Sequence, residues 1–181
     1  MTTTTATTDT SSIYLVRYGT VPEVARFKND SSAAPTRGMP VVVETDRGLQ
    51  LGLVLELLKP SFDPAKESET EFRVLREATP LDIESARERI EECETAYPEW
   101  AARILNWGLN LELIDLEWTL DRQKLILYVL CDRGPDTTKL ALQAAASGFG
   151  VIEVQPVAST GLVTIPKSSC GSGEGGCGCE H

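Results

Sequence analysis

The chain has a single histidine, His181, and it is the last of 181 residues. A Ser-His-Asp or Cys-His catalytic arrangement would have to fold that terminal residue back onto the body of the protein, so a non-catalytic protein is expected. Basic residues are also scarce: 17 Lys and Arg stand against 27 Asp and Glu, a formal net charge of -10. Neutralising a phosphate backbone needs clustered cations, so nucleic acid would require a partner or a local basic patch. There is no basic start followed by an apolar core and no apolar run approaching the ~20 residues that cross a bilayer. A cytoplasmic protein is therefore expected. The five cysteines do not form the evenly spread framework of a secreted disulfide scaffold, because Cys170, Cys177 and Cys179 crowd into the final segment. Gly161 to Ser168 has the outline of a phosphate-binding loop, but Pro166 stands where a glycine is required and no helix follows Lys167. Glu91, Glu92 and Glu94 lie along a charged helix with no paired carboxylate pocket implied.

With 41% hydrophobic and 24% charged residues, the chain can bury one good core or two small ones in a compact unit. Residues 1–12 are almost entirely Thr and Ser, a composition that orders nothing by itself. Residues 13–77 read as a small β-rich subdomain. Ile13 to Tyr18 and Val24 to Phe27 form short strands. Val41 to Val43 and Leu51 to Leu55 are the arms of a hairpin that turns at Asp46-Arg47-Gly48, and Phe72 to Leu75 is a fifth strand. A small barrel is the natural closure of such strands.

Residues 78–157 read as an α+β subdomain in the order ααββαβ. Thr79 caps a helix that Pro80 opens, with Ile83, Ala86, Ile90, Cys93 and Tyr97 as its buried stripe. Pro98 is expected to break it and start a second helix that turns Trp100, Ile104 and Trp107 inward and ends at Gly108. Leu109 to Leu120 is a strand whose alternation sets Ile114, Leu116 and Trp118 against Asp115 and Glu117, with a phase slip at Leu113-Ile114 that suggests a bulge. Leu125 to Cys131 is apolar on both faces, as a central strand is. Asp136 is expected to cap a helix from Thr137 to Ala146, and Val151 to Val157 is the last strand. The fold class expected is α+β, with a small β-barrel-like N-terminal half followed by a sheet covered by helices on one face. Residues 158–181 form a Gly- and Cys-rich flexible tail.

Two sequence words narrow this reading. Glu44-Thr45-Asp46-Arg47-Gly48 and, some twenty-five residues later, Val74-Leu75-Arg76-Glu77-Ala78-Thr79-Pro80 resemble the PSP-one C-terminal-domain family, whose bacterial members are the YaaT/RicT-like proteins. The resemblance runs from about Tyr14 to Val157, and neither word is a catalytic motif. It implies a non-enzymatic partner of small proteins, in an iron-sulfur-containing complex that regulates RNA processing by a membrane-associated endonuclease, RNase Y. Family members carry a glycine-rich stretch with one cysteine and then an adjacent pair. Here the spacing differs, with Cys170, Cys177 and Cys179, and the family's Arg-Val-Asp-Phe-Arg segment is replaced by Arg133-Gly134-Pro135-Asp136-Thr137. The chain reads as a divergent relative with altered partner contacts there.

The candidate metal ligands are Cys170, Cys177, Cys179 and His181, soft donors suited to zinc or an iron-sulfur cluster. Their irregular spacing leaves open an unligated, redox-labile tail or a vestigial end. Cys93 and Cys131 fit small core residues better than ligands. Partner proteins are expected, with RNA reached indirectly. The alternative is a direct RNA-binding module that uses Arg17, Arg26, Lys28, Arg37 and Arg47, with Tyr14 or Tyr18 stacking on a base.

Overall fold

The computed structural model describes residues 12–31, 33–58, 72–131, 135–158 and 161–163. Among the described residues the fold is mixed α+β, mostly strands with two helices. Five strands come first: β1 (Ile13–Tyr18), β2 (Glu23–Asn29), β3 (Pro40–Thr45), β4 (Gly48–Leu57) and β5 (Arg73–Glu77). They close on themselves in the order β1-β2-β5-β3-β4. The closure is uneven. β3 and β4 pair along their length from Pro40↔Leu53 to Thr45↔Gly48, whereas β2 meets β5 in parallel only at Lys28↔Arg73 and Asn29↔Val74.

The hairpin expected around Gly48 is present, and its positive φ of 127° is one that glycine adopts freely. The inward side chains are Tyr14, Val16, Tyr18, Phe27, Val41, Val43, Val54 and Val74. Tyr18 meets Phe27 edge-on at 5.3 Å, an arrangement that aligns ring edge with ring face. At Gly52 the strands approach so closely that a Cβ would lie 2.6 Å from Val16 Cγ1.

The first helix, α1, runs unbroken from Pro80 to Asn106 with Pro98 inside it, so the expectation of two helices is corrected. An interior proline costs roughly 3 kcal/mol through a lost hydrogen bond and a ring clash. The flanking turns are held by tertiary packing: Trp100 and Ile104 are buried in the core, and the Tyr97 hydroxyl donates to the Leu113 carbonyl at 2.7 Å. Burying side chains of that size is worth about 1.5–3 kcal/mol each, enough to offset the proline. The start of α1 is as expected. Thr79 accepts from the Asp82 amide at 3.2 Å and Asp82 accepts from the Thr79 amide at 2.8 Å, a reciprocal capping box. Arg76 braces Asp82 with a second bond at 2.9 Å. That arginine, more than any other neighbour, holds the Asp82 carboxyl far below the usual range.

The apolar stripe of α1 is only partly covered. Cys93, Trp100 and Ile104 are buried, but Ile83 and Ile90 are 44% and 52% exposed, which corrects the expectation of a continuous buried face.

The second sheet has the order β6-β7-β8-β9, with β6 (Glu112–Trp118), β7 (Lys124–Leu130), β8 (Val151–Ala158) and the short β9 (Gly161–Leu162), which corrects the expectation that Val151 to Val157 is the last strand. β7 is a central strand, antiparallel to β6 and parallel to β8, and the second helix, α2 (Asp136–Ala146), makes the crossover. The register slips between Leu113 and Asp115, as the phase change suggests. The slip puts Leu113 and Leu116 in the core and leaves Ile114 42% exposed, so Ile114 does not share the buried face.

Asp136 does not cap its own helix. It lies in the first turn, behind Pro135 at the cap position, and accepts from the Asn110 amide at 3.0 Å and from Lys139 at 2.7 Å. Both helices pack on one face of the sheet around Leu113, Leu116, Leu125, Leu127 and Val129. The opposite face of β7 carries Ile126 and Tyr128, fully buried.

Replacing Thr79 by Ala removes one half of the capping box and is expected to cost about 1 kcal/mol in urea denaturation. Gly52→Ala is expected to cost about 1–3 kcal/mol, because Val16 and the β1–β4 pairing must shift to admit a methyl group.

Candidate functional site

The tip of the β3–β4 hairpin carries Arg47 out of its own sheet and into the space beneath the second one. The residue is only 5% exposed. Its guanidinium pairs with Glu23, donates to the Tyr18 hydroxyl at 3.3 Å and to the Tyr128 hydroxyl at 3.1 Å, and lies 5.4 Å from the centre of the Tyr18 ring. Tyr128 in turn donates to Glu117 at 2.6 Å. Glu117, 8% exposed, also accepts from the Gln50 side-chain amide at 2.6 Å and from the backbone amide of Thr20 at 2.9 Å. Gln50 accepts from the Thr45 hydroxyl at 2.9 Å. The result is one connected polar chain, with donors and acceptors alternating, between strands of both sheets. Such groups are tolerated inside a protein only when their partners are supplied, because leaving one unpaired costs about 1–3 kcal/mol, and more if it is charged.

The electrostatics follow from burial. The Tyr128 hydroxyl is held far above its ordinary value, first by burial and then by the charge of Glu117, which also accepts its proton in a hydrogen bond. Burial raises Tyr18 as well, with Arg47 pulling the other way. The thiol of Cys93 is pushed up to about 11, first by burial and then by the nearby carboxylates of Asp115, Glu117 and Glu92. It is a protonated, unreactive side chain at neutral pH.

Beside this junction lies an open cleft of about 390 Å³. Ala86, Ile90, Cys93 and Glu94 of α1 form one wall, Asp115 to Trp118 of β6 another, and Gly19, Thr20, Gln50 and Leu51 of the closed sheet the third. Ala86, Ile90 and Cys93 recur at helical spacing, so the cleft lies beneath the half of the α1 stripe that the core leaves uncovered. At the end of α1, Arg103 packs over Trp100 and Phe149, its carbon 5.1 and 4.4 Å from the two ring centres.

The candidate ligands Cys170, Cys177, Cys179 and His181 lie outside the described residues, as does Arg133. Among the described residues no group of three or more His, Cys, Asp or Glu side chains is placed to hold a metal ion. The five candidate cations separate. Arg17, Arg26 and Lys28 project from the outer face of β1 and β2, where Leu15 is the partner of Arg26 and Val24 that of Arg17. Arg37 is exposed and lies 3.8 Å from Glu56. Arg47 is interior and is not part of that surface. Tyr14 and Tyr18, 2% and 4% exposed, are core residues and not stacking platforms. Cys93 is buried as expected, and Cys131 is half-buried.

Glu117, Gln50 and Tyr128 were not singled out by the sequence. Glu117 reads as the outward residue of an alternating strand. The available signal was a tyrosine in the middle of the otherwise aliphatic run Leu125 to Leu130, since a buried phenol needs a polar partner.

Residues 72–146 match the PSP1 C-terminal conserved region. The similarity to the PSP1 family thus covers less than half of this chain. The chain is 29% identical over 117 residues to the stage 0 sporulation protein YaaT of Bacillus subtilis (strain 168), a match that covers 65% of this chain and 42% of the relative. The chain thus spans less than half the length of that relative. No solved structure matches it. The matched region contains β5, α1, β6, β7 and α2, and so includes Tyr128 and Glu117 but not the hairpin that delivers Arg47 to them.

Arg47→Ala leaves Glu23 without its buried cation and takes a donor from the Tyr18 and Tyr128 hydroxyls, and is expected to cost about 3–5 kcal/mol, read as a lower denaturation midpoint with an unchanged slope. A pH dependence follows from the raised groups. Below about 9 both folded and unfolded chains keep these protons. Above it the unfolded chain releases them from Cys93, Tyr18 and Tyr128 while the folded chain retains them, so stability falls as pH rises. The double variant Cys93→Ala, Tyr128→Phe is expected to flatten that loss between pH 9 and 11, measured as the thermal midpoint against pH.

Proposed function

We propose that this chain is a non-catalytic regulatory adaptor of the YaaT/RicT type, acting in the cytoplasm by binding partner proteins in RNA-processing regulation. Its C-terminal Cys170, Cys177, Cys179 and His181 hold a metal ion or an iron-sulfur cluster. The observation that carries this reading is the similarity to the PSP1 family and to YaaT together with what the fold does with its buried polar groups. Arg47, Glu117, Tyr128, Gln50 and Thr45 are engaged with one another, and the Cys93 thiol is held protonated, so the chemistry gathered here is that of a structural joint. The Bacillus subtilis relative is a stage 0 sporulation protein. No helix among the described residues is long and apolar enough to cross a membrane.

The donor set fits soft metals: three thiols and one imidazole within a glycine-rich stretch that can wrap closely around a small group. Gathering thiolates requires their deprotonation, so binding releases protons and weakens as pH falls. The test is iron, zinc and sulfide content, with an absorption spectrum, on the full chain purified without air, beside the variant Cys177→Ser, Cys179→Ser. Stoichiometric metal in the parent and its loss in the variant is the expected result. Equal metal content, or a colourless, metal-free parent, would reject the cluster.

A second reading rests on the outer face of β1 and β2, where Arg17, Arg26 and Lys28 have no ion-pair partner among the described residues. If this face binds RNA directly, affinity for a single-stranded oligonucleotide falls steeply with added salt, with a slope of about 0.7 per phosphate contacted, and Arg17→Ala with Arg26→Ala reduces that slope. A salt-independent signal removes this reading.

A further inference from the structure

An apolar stripe on a helix is ordinarily explained by what it packs against. The stripe of α1 is satisfied from Cys93 onward by the second sheet, but its first half is not, since Ile83 and Ile90 are 44% and 52% exposed. Beneath Ile90 lies the 390 Å³ cleft, floored by Leu116 and Trp118 and closed on the far side by Leu51 and Gln50. Its volume suits one or two inserted side chains, at the lower end of the range for ligand pockets.

The cleft is lined by three carboxylates, Glu94, Asp115 and Glu117, and by one cation, Arg89. Arg87 pairs with Glu91, and Arg89 and Arg122 both reach Glu92, so the local cations are already engaged. Glu84, Glu88 and Glu94 on α1 and Asp115 on β6 have no ion-pair partner among the described residues. Glu94 and Asp115 line the cleft itself. The remaining lining carboxylate, Glu117, is saturated by Tyr128, Gln50 and Thr20.

We propose that this cleft is the docking site for a partner protein's segment that presents a lysine or arginine beside an aliphatic side chain. The aliphatic group enters over Leu116 and Trp118, and the cation lies between Glu94 and Asp115. This names the partner's chemistry for the adaptor reading above and rests on that reading. A protein segment, unlike a nucleic acid, suits both the negative rim and the apolar floor. Phosphates would be repelled by the same carboxylates. Removing Ile90 from water and pairing the rim carboxylates supply affinity and orientation respectively. The Arg122–Glu92 contact at 3.0 Å lies next to the cleft, with Arg122 5.9 Å from the ring of the lining residue Trp118.

The probe is a capped Lys-Leu-Lys peptide titrated into the full, metal-loaded chain, followed by the backbone amide resonances of Ala86, Ile90, Leu116 and Trp118. Capped Glu-Leu-Glu and Lys-Ser-Lys peptides and spermidine serve as comparisons. Saturable shifts centred on those four amides with Lys-Leu-Lys alone, weakened by about tenfold or more in both Ile90→Lys and Glu94→Lys, are expected. Both positions are exposed enough for either variant to fold, which unchanged amide dispersion checks. Shifts elsewhere, equal response to Glu-Leu-Glu or Lys-Ser-Lys, equal affinity in both variants, or spermidine binding as tightly as the peptide would overturn the proposal. So would a dimer that dissociates in Ile90→Lys, which would assign the cleft to a second copy of this chain. Metal content is read on the same samples. Loaded protein that ignores the peptide rejects the cleft alone, and metal-free protein that binds it rejects the cluster alone.

Discussion

A guanidinium removed from water has to find its compensation within a few ångströms, and the arrangement of the two sheets follows from where Arg47 finds it. Glu23 and Tyr18 belong to the closed sheet and Tyr128 to the second one. The hairpin turn therefore cannot move relative to β7 without stranding a charge. Glu117 works in the opposite direction, reaching from β6 back to Gln50 and to the Thr20 amide. A backbone bond from the Leu120 amide to the Leu49 carbonyl at 2.7 Å runs alongside. Apolar packing within each sheet is indifferent to the orientation of the other, whereas these directional contacts admit one relative placement.

Both sequence words that marked the family turn out to be joints. Glu44 to Gly48 contains the turn, its glycine and the arginine that enters the other sheet. Val74 to Pro80 contains a core valine, the Arg76 that braces Asp82, an Ala78 amide that donates to the Pro40 carbonyl at 2.9 Å, and the cap and first residue of α1. Each word is a compact set of local demands, which is why it is recognisable without any chemistry attached.

Period, turn residues and capping made most elements legible: the hairpin, the start of α1, the central β7, the slip at Leu113 and β8, though not the two-residue β9 that follows it. The misreadings share a cause, which is that a local rule met a non-local one. Pro98 is a breaker by local rules, yet Tyr97, Trp100 and Ile104 are anchored to the sheet on both sides of it. Ile90 belongs to the buried stripe by spacing, but whether anything covers a helix face depends on how far the sheet beneath it extends. Glu117 alternates as a solvent-facing residue does, and only the arrival of the closed sheet turns its face inward. Arg47 is charged and sits in a turn, so it reads as surface until Tyr18 and Tyr128 are seen to converge on it. The cysteine tail is the reverse case. Its composition speaks of soft-metal ligation, while its residues lie outside those described, so that part of the site is carried by composition alone.

The position of β5 bears on what the family region is. Its first strand is sewn into the closed sheet, in parallel to β2 through a two-residue seam and antiparallel to β3, while only Ala78 and Thr79 separate it from α1. The shared stretch beginning at residue 72 is consequently not a detachable module. Excised at that boundary, it would carry an orphaned strand with apolar Val74 laid open and would lack β8, the parallel neighbour of its own central strand. The matched stretch and the unit that folds have different borders, so the upstream hairpin is part of what holds residues 72–146 together in this chain although it lies outside them.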